Sequence, residues 1–376
     1  MLLHPLGTVP IVVRFLHTAD LQLGMSRRFL APEAQARFTQ ARIEVVRVLG
    51  RLAAAEDCEF IVVCGDVFEA NQVDRQVVGR AVEAFADVPV PVFLLPGNHD
   101  PLDAASLFDA VDLPAHVTVL RTPGLHVVRP GVELVAAPWT SKRPLVDLLG
   151  AAVRSLPPPE PGVVRIAVGH GVVDTLSPDR DNPAVISVEG LASVHYAALG
   201  DRHSTTAVTP RVWYSGAPEA TDFDELDPGN VLVVSVDAAA DAPPVVTPHH
   251  VGRWRFVRRP FPVDSAEDIA AVLGWLASVP DKADTVVRLD LSGALSLADR
   301  ARLDSALEDA RPLFGALDVW GLEHVVVLPD DADLSELHLS GFGLAALEEL
   351  EQAGLAGDEE ARDALSLLYR LAKGAA

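Results

Sequence analysis

Val92-Phe93-Leu94-Leu95-Pro96-Gly97-Asn98-His99-Asp100 is the stretch on which the reading of this chain turns. Four apolar residues form a run with the length of a buried strand, and a polar turn ends it abruptly. An adjacent Asn-His pair has no common structural use, so the turn reads as chemistry delivered at a strand end. The same arrangement recurs on both sides. Ile11–Leu16 is followed by Asp20-Leu21-Gln22, and Phe60–Cys64 by Gly65-Asp66-Val67-Phe68-Glu69. Val163–Val168 leads to Gly169-His170-Gly171, and Tyr196–Leu199 to Gly200-Asp201-Arg202-His203. Glu33 to Ala55 and Asp74 to Ala86 have the apolar spacing of amphipathic helices. This alternation predicts an α/β layered domain with a central sheet. Ligands of open α/β sheets bind at the carboxyl ends of the strands. Asp20, Gln22, Asp66, Asn98, His99, His170, Asp201 and His203 are therefore expected along one edge. Mixed oxygen and imidazole donors suit manganese, iron or zinc.

Composition narrows the function classes. The 376 residues are 49% hydrophobic and 22% charged, which excludes wholesale disorder. With 53 acidic and 30 basic residues the net charge is −23, so the chain does not coat nucleic acid by bulk charge. Contact with DNA would need a local basic patch or a metal site. Two cysteines, Cys58 and Cys64, exclude a disulfide framework and fit a reducing compartment. Met1 to Val13 lacks the features of a signal peptide, and no apolar run reaches the ~18 residues of a membrane span. The expectation is a soluble cytoplasmic protein.

Val117 to Ala137 reads as hairpins and the Pro-rich Leu156 to Gly162 as a loop. A boundary is expected at Asp237 to Pro244. Beyond it, a strand-like His250–Val263 precedes alternating helical and strand-like stretches, with another apolar strand near His324 to Leu328. The expected domains are 11–240, a small α+β module at 245–335, and a helical tail at 340–376. Asp281–Ala376 carries 20 acidic and 8 basic residues and would repel DNA, so any DNA-binding surface is expected on the catalytic face.

The ordered set of motifs resembles the calcineurin-like metallophosphoesterases, and within them the SbcD nuclease branch. The resemblance rests on His17-Thr18-Ala19-Asp20 with Leu23-Gly24, on Gly97–Asp100, and on Tyr214-Ser215-Gly216-Ala217-Pro218-Glu219. It covers about Val13 to Pro228. It implies a layered β-sandwich flanked by helices, followed by a small capping domain. It also implies two divalent ions, manganese first, with magnesium, iron or zinc as alternatives. One ion would be held by Asp20, Gln22, Asp66 and His203, the other by Asp66, Asn98, His170 and Asp201, with Asp66 bridging. His99 would be the catalytic histidine, oriented by Asp100. Gln22 and Asp201 stand where the family pattern usually has His. A carbonyl oxygen binds metal more weakly than imidazole, and a carboxylate favours harder ions.

The implied activity is phosphodiester hydrolysis of DNA, as an exonuclease or endonuclease. An SbcC-like ATPase partner and a homodimer are implied with it. The rival readings are a phosphatase or cyclic-nucleotide phosphodiesterase on the same scaffold, and a binding protein with a degenerate site. Arg27-Arg28, Arg202 and the Arg-rich Gly252–Arg259 are candidate phosphate contacts. His17 is expected to be structural, and Asp222, Asp224 and Glu225 to form a solvated acidic loop.

Overall fold

Alternation along each strand decides how the layers stack, because successive side chains point to opposite faces. In β1 (Val12–Thr18), Leu16 faces one way and Phe15 the other. In β2 (Ile61–Cys64), Ile61 and Val63 oppose Val62 and Cys64. Leu16, Ile61 and Val63 pack with Ile43, Val46 and Leu49 of helix α1 (Pro32–Ala55) and with Ala81, Ala84 and Phe85 of α2 (Arg75–Ala86). Phe15, Val62 and Cys64 turn inward and meet a second sheet.

The computed structural model describes residues 12–179, 182–238, 242–321, 325–327, 341–358, 360–361, 364–365 and 367–368. The first sheet also contains β3 (Val92–Leu95) and β4 (Val117–Val119). The second contains β5 (Gly124–Arg129), β6 (Val132–Ala136), β7 (Val164–His170), β8 (Tyr196–Gly200), β9 (Thr206–Thr209) and β10 (Val212–Tyr214). Strands β11 (Asn230–Asp237) and β12 (Val245–His250) return to the first. The orders are β12-β11-β1-β2-β3-β4 and β5-β6-β7-β8-β10-β9. Strands β1 to β4 run parallel, as do β6, β7, β8 and β10. Between the sheets, Phe15 stacks on Phe60 at 5.1 Å, and Leu134, Ile166, Val168 and Tyr196 complete the filling. Burying each such side chain contributes about 1.5–3 kcal/mol. The outer face of the second sheet, Val135, Ala167 and Leu199, is covered by Leu149 and Val153 of α3 (Leu148–Arg154).

The architecture is thus helix, sheet, sheet, helix. This is the layered β-sandwich flanked by helices that the resemblance implied, and it replaces the one central sheet read from the alternation alone. The motif-bearing strands β1, β2 and β3 lie in one sheet and β7 and β8 in the other, so two parallel edges supply the site.

The chain divides into two compact units, one extending to Arg27 and resuming at Gln35–Trp254, the other comprising Arg28–Ala34 and Arg255 onward. Strand β11 ends at Asp237 and β12 begins at Val245, and the two pair within the first unit. The strand-like stretch His250–Val263 is interrupted at residues 251–254, between the end of β12 at His250 and the start of β13 (Arg255–Pro262).

The second unit places β13, β14 (Thr285–Leu295), β15 (Ala316–Trp320) and β16 (Val325–Val327) in one parallel sheet. Helices α4 (Ala266–Ser278) and α5 (Leu297–Ala310) make its crossovers. Its core includes Ile269, Val272, Leu289, Leu303 and Leu307. Helix α6 (Phe342–Leu355) opens the tail, whose end beyond 368 lies outside the described residues, as do His324 and Leu328.

Candidate metal centre

Loops following the parallel strands meet over the sandwich. After β1 the chain is held to the β2 loop by Asp20 N–H on the Gly65 carbonyl (3.0 Å) and Gln22 N–H on the Asp66 carbonyl (2.9 Å). Asp20, Gln22, Asp66 and Asp201 all have φ between 45° and 93°. Non-glycine residues seldom adopt this left-handed region, and it clusters at functional sites when the surroundings enforce it. The loops also approach very closely. A Cβ on Gly97 would lie 2.2 Å from Asp66 Oδ1, and one on Gly65 would lie 2.0 Å from His170 Nδ1.

Asp20, Asp66 and His170 are buried, and each offers one ligand atom within 4.8 Å of the other two. His170 ends β7 and donates from Nδ1 to the Cys64 carbonyl at 2.8 Å. That leaves its Nε2 facing Asn98 Oδ1 at 2.7 Å, Asp66 Oδ1 at 3.4 Å and Asp201 Oδ1 at 3.7 Å. The Trp139 indole donates to the His170 carbonyl at 2.8 Å, and its ring meets the imidazole edge-on. The Tyr214 hydroxyl donates to the Gly171 carbonyl and accepts from Val173 N–H, which fixes the segment after His170.

His203 uses the same device on the other side. Its Nδ1 lies 2.9 Å from Glu225 Oε1 and 2.8 Å from Thr221 Oγ1. Its Nε2 points inward, 4.0 Å from Asp20 Oδ1 and 3.2 Å from Gln22 Nε2. Anchoring one imidazole nitrogen to present the other is how metal-binding histidines are oriented. Glu225 corrects the expectation of a solvated acidic loop: its side chain is 7% exposed and also accepts from Thr221 N–H. Asp222, at 58%, is exposed as expected.

His99 takes a separate position. Its Nδ1 donates to the Glu69 carbonyl at 2.9 Å, and its Nε2 lies 3.9 Å from Asp66 Oδ2. Asp100 does not orient this ring. Its fully buried carboxylate accepts from Gly97 N–H at 2.8 Å and Phe68 N–H at 2.9 Å, pinning the turn itself. The backbone N–H of His99 in turn holds Asp66 Oδ1 at 3.0 Å.

The electrostatics are those of a cation site. Burial raises the Asp20 carboxyl from 3.8 to about 7, against the pull of His203 and His170 and with the push of Asp66 and Asp201. Burial lowers the affinity of His170 for a proton, but Asp66, Asp20 and Asp201 together raise it well above its usual value. For Asp66, burial pushes up while His170 and His99 pull harder, so its pKa falls. Burial alone would lower His203, yet the Glu225 hydrogen bond and Asp20 raise it. Gln22 Oε1 is buried without a hydrogen-bond partner. An orphaned carbonyl oxygen, three carboxylates and two presented Nε2 atoms fit a divalent cation, which would satisfy the oxygen and offset the crowded charge.

Five of the basic candidates are engaged elsewhere. Arg27 donates from Nε and Nη2 to the Thr221 carbonyl, and Arg202 donates to Thr206 Oγ1. Within the second unit, Arg255 reaches Thr285 Oγ1, Arg258 pairs with Asp290, and Arg259 lies over Phe261 and Trp275. His17 is buried between the Tyr196 hydroxyl and the Leu199 carbonyl, and burial lowers its pKa to about 3. Cys64 is fully buried, which pushes its thiol well up and removes it as a nucleophile. Among the described residues no helix is long and apolar enough to cross a membrane.

Comparison with known proteins agrees with this geometry. The family described as calcineurin-like phosphoesterase matches residues 13–288. A curated relative, the DNA double-strand break repair protein Mre11 of Archaeoglobus fulgidus, is 24% identical over 243 residues. The match covers 57% of this chain and 52% of that protein, so it spans about half the relative's length.

Proposed function

Because this chain belongs to the calcineurin-like phosphoesterases, we propose that it is a nuclease of the SbcD type, hydrolysing phosphodiester bonds of DNA with two divalent cations. The observation that carries the reading is the convergence of Asp20, Asp66 and His170, with His99 Nε2 beside the shared Asp66. The similarity to a DNA repair protein favours DNA over a small phosphoester.

Asp20, Gln22, Asp66 and His203 would hold one cation, and Asp66, Asn98, His170 and Asp201 the other. Such a pair supplies an acidified water as nucleophile and neutralises charge on the phosphate. The protein's own part is positional and protolytic. Nδ1 of His170 and of His203 is committed to backbone or carboxylate, so each Nε2 stays available. The Glu69 carbonyl holds His99 Nδ1, so a proton at Nε2 is the one that can reach the leaving oxygen. No side chain forms a covalent intermediate in this scheme.

Manganese is the expected metal, an SbcC-like ATPase the expected partner, and a homodimer the expected assembly. The test is a nuclease assay on the purified, metal-stripped chain, with linear duplex and hairpin DNA and manganese or magnesium restored. Metal-dependent cleavage that Asp66→Ala lacks supports the reading. Hydrolysis of a cyclic nucleotide or phosphomonoester, without DNA cleavage even when the ATPase is supplied, would replace it with the small-substrate alternative.

A further inference from the structure

Two arginines converge on one short segment behind His203. Arg42, on α1, is wholly buried. Its Nη1 donates to the Leu21 carbonyl at 3.1 Å, and its Nη2 to the carbonyls of Ala220 at 2.9 Å and Glu219 at 3.4 Å. The Phe38 ring, one turn earlier on the helix, lies 4.6 Å from its guanidinium carbon and sets its plane. Arg27 places Nε at 2.9 Å and Nη2 at 2.6 Å from the Thr221 carbonyl. Three consecutive carbonyls, 219 to 221, are therefore held by two guanidinium groups.

We propose that Arg27 and Arg42 are positioning residues, a clamp on the 219–221 carbonyls that seats Thr221 and Glu225 against His203 and so fixes which imidazole nitrogen is offered to a cation. With its carbonyl held, Thr221 turns its N–H to Glu225 Oε2 at 2.8 Å and its hydroxyl to the His203 Nδ1 side. Glu225 Oε1 then takes the Nδ1 proton, and Nε2 faces inward. Arg42 adds a tie that a hydrocarbon could not make. Leu21 lies between Asp20 and Gln22, so one guanidinium joins the loop carrying two candidate ligands to the segment that orients a third. Burying a guanidinium among carbonyls is costly compared with an aliphatic side chain. Glu219, Glu225 and Glu69 favour the charged guanidinium and offset part of that cost, while the tie between Leu21 and the 219–220 carbonyls is the geometry Arg42 enforces.

The proposal rests on the cation-site reading, but its test reads binding and tautomer instead of hydrolysis. The full chain, stripped of metal, is titrated with manganese chloride by calorimetry, and the tautomer of His203 is read from 15N-labelled imidazole spectra before metal is added. Arg27, whose side chain is 26% exposed, tolerates change better than Arg42. Arg27→Met is expected to weaken one manganese equivalent about tenfold, the usual effect of removing an outer support. The equivalent affected should be the one that His203→Ala removes, the other staying within about twofold. His203 should change from a single Nδ1–H tautomer to a mixture, and Arg27→Lys should recover part of both losses. An unchanged tautomer in Arg27→Met overturns the clamp. So does equal weakening of all manganese binding in step with a lowered melting temperature, the mark of a merely structural role. Failure of the wild type to cleave DNA even with the ATPase supplied would sink the nuclease reading and leave both readouts standing.

Discussion

Asp100→Asn separates the part this carboxylate plays in the fold from any part in catalysis. Each Asp100 oxygen accepts one backbone N–H, from Gly97 and from Phe68. An amide supplies one acceptor, so one buried N–H loses its partner at a cost of about 1–3 kcal/mol. Ionisation acts in the opposite direction. Burial, helped by Asp66, raises the Asp100 carboxyl from 3.8 to about 7 despite those two hydrogen bonds. A carboxyl raised in the folded state contributes its full stability below pH 3.8 and loses it as pH rises toward 7. At about 1.36 kcal/mol per pKa unit, charging Asp100 penalises the fold by about 1.6 kcal/mol at pH 5 and about 4 kcal/mol at pH 8, as orders of magnitude. The asparagine cannot ionise and escapes this. Urea unfolding of metal-free protein, with chelator present, should find the variant within about 1.5 kcal/mol of the wild type at pH 5, where the lost hydrogen bond and the escaped ionisation nearly cancel. At pH 8 the balance should move by about 2–3 kcal/mol in favour of the variant, making it the more stable protein. A stability difference that is the same at both pH values would refute the reasoning. The two backbone donors would then hold Asp100 at an ordinary pKa.

Asp66→Ala should lose both manganese binding, measured by calorimetry, and turnover. His99→Ala should retain binding and lose about 10²–10⁴-fold in turnover, as expected for removal of a general acid; wild-type rates in the latter would exclude His99 from the chemistry. Manganese at about 100 times its Kd should stabilise the chain by about 2.7 kcal/mol in thermal unfolding. Protons compete at Asp20, whose carboxyl is raised to about 7, so affinity should strengthen as pH rises from 5 to 8, and a flat profile would argue against that carboxylate as a ligand. Gly97→Ala would drive a Cβ into the Asp66 carboxylate, and its crystal structure and manganese titration should show a displaced Asp66 with weakened binding.

Much of this molecule was legible in one dimension. Short β-branched runs stopping at Asp, His or Asn announced strands whose ends carry chemistry, and the parallel strands do deliver Asp20, Asp66, Asn98, His170 and His203 to one place. Helical spacing located α1 and α2 to within a few residues, since amphipathic periodicity is a local property. What remained hidden depends on partners far along the chain. Periodicity reports that a residue is buried, not which sheet buries it, so the division of the motif strands between two sheets could not be read. A charged side chain is likewise neutral in meaning until its partner is known. Arg27 resembled a phosphate contact until the Thr221 carbonyl, 194 residues on, occupied it. Glu225 resembled a solvated acid until folding set it against His203, and Asp100 was assigned to a neighbouring ring although the N–H groups of Gly97 and of the distant Phe68 claim it. The amino-acid order thus determined which ligands exist and that strand ends would present them. Only the packing of two sheets decided which nitrogen or oxygen each one turns toward the centre, because buried polar groups are committed by the nearest donor or acceptor in space.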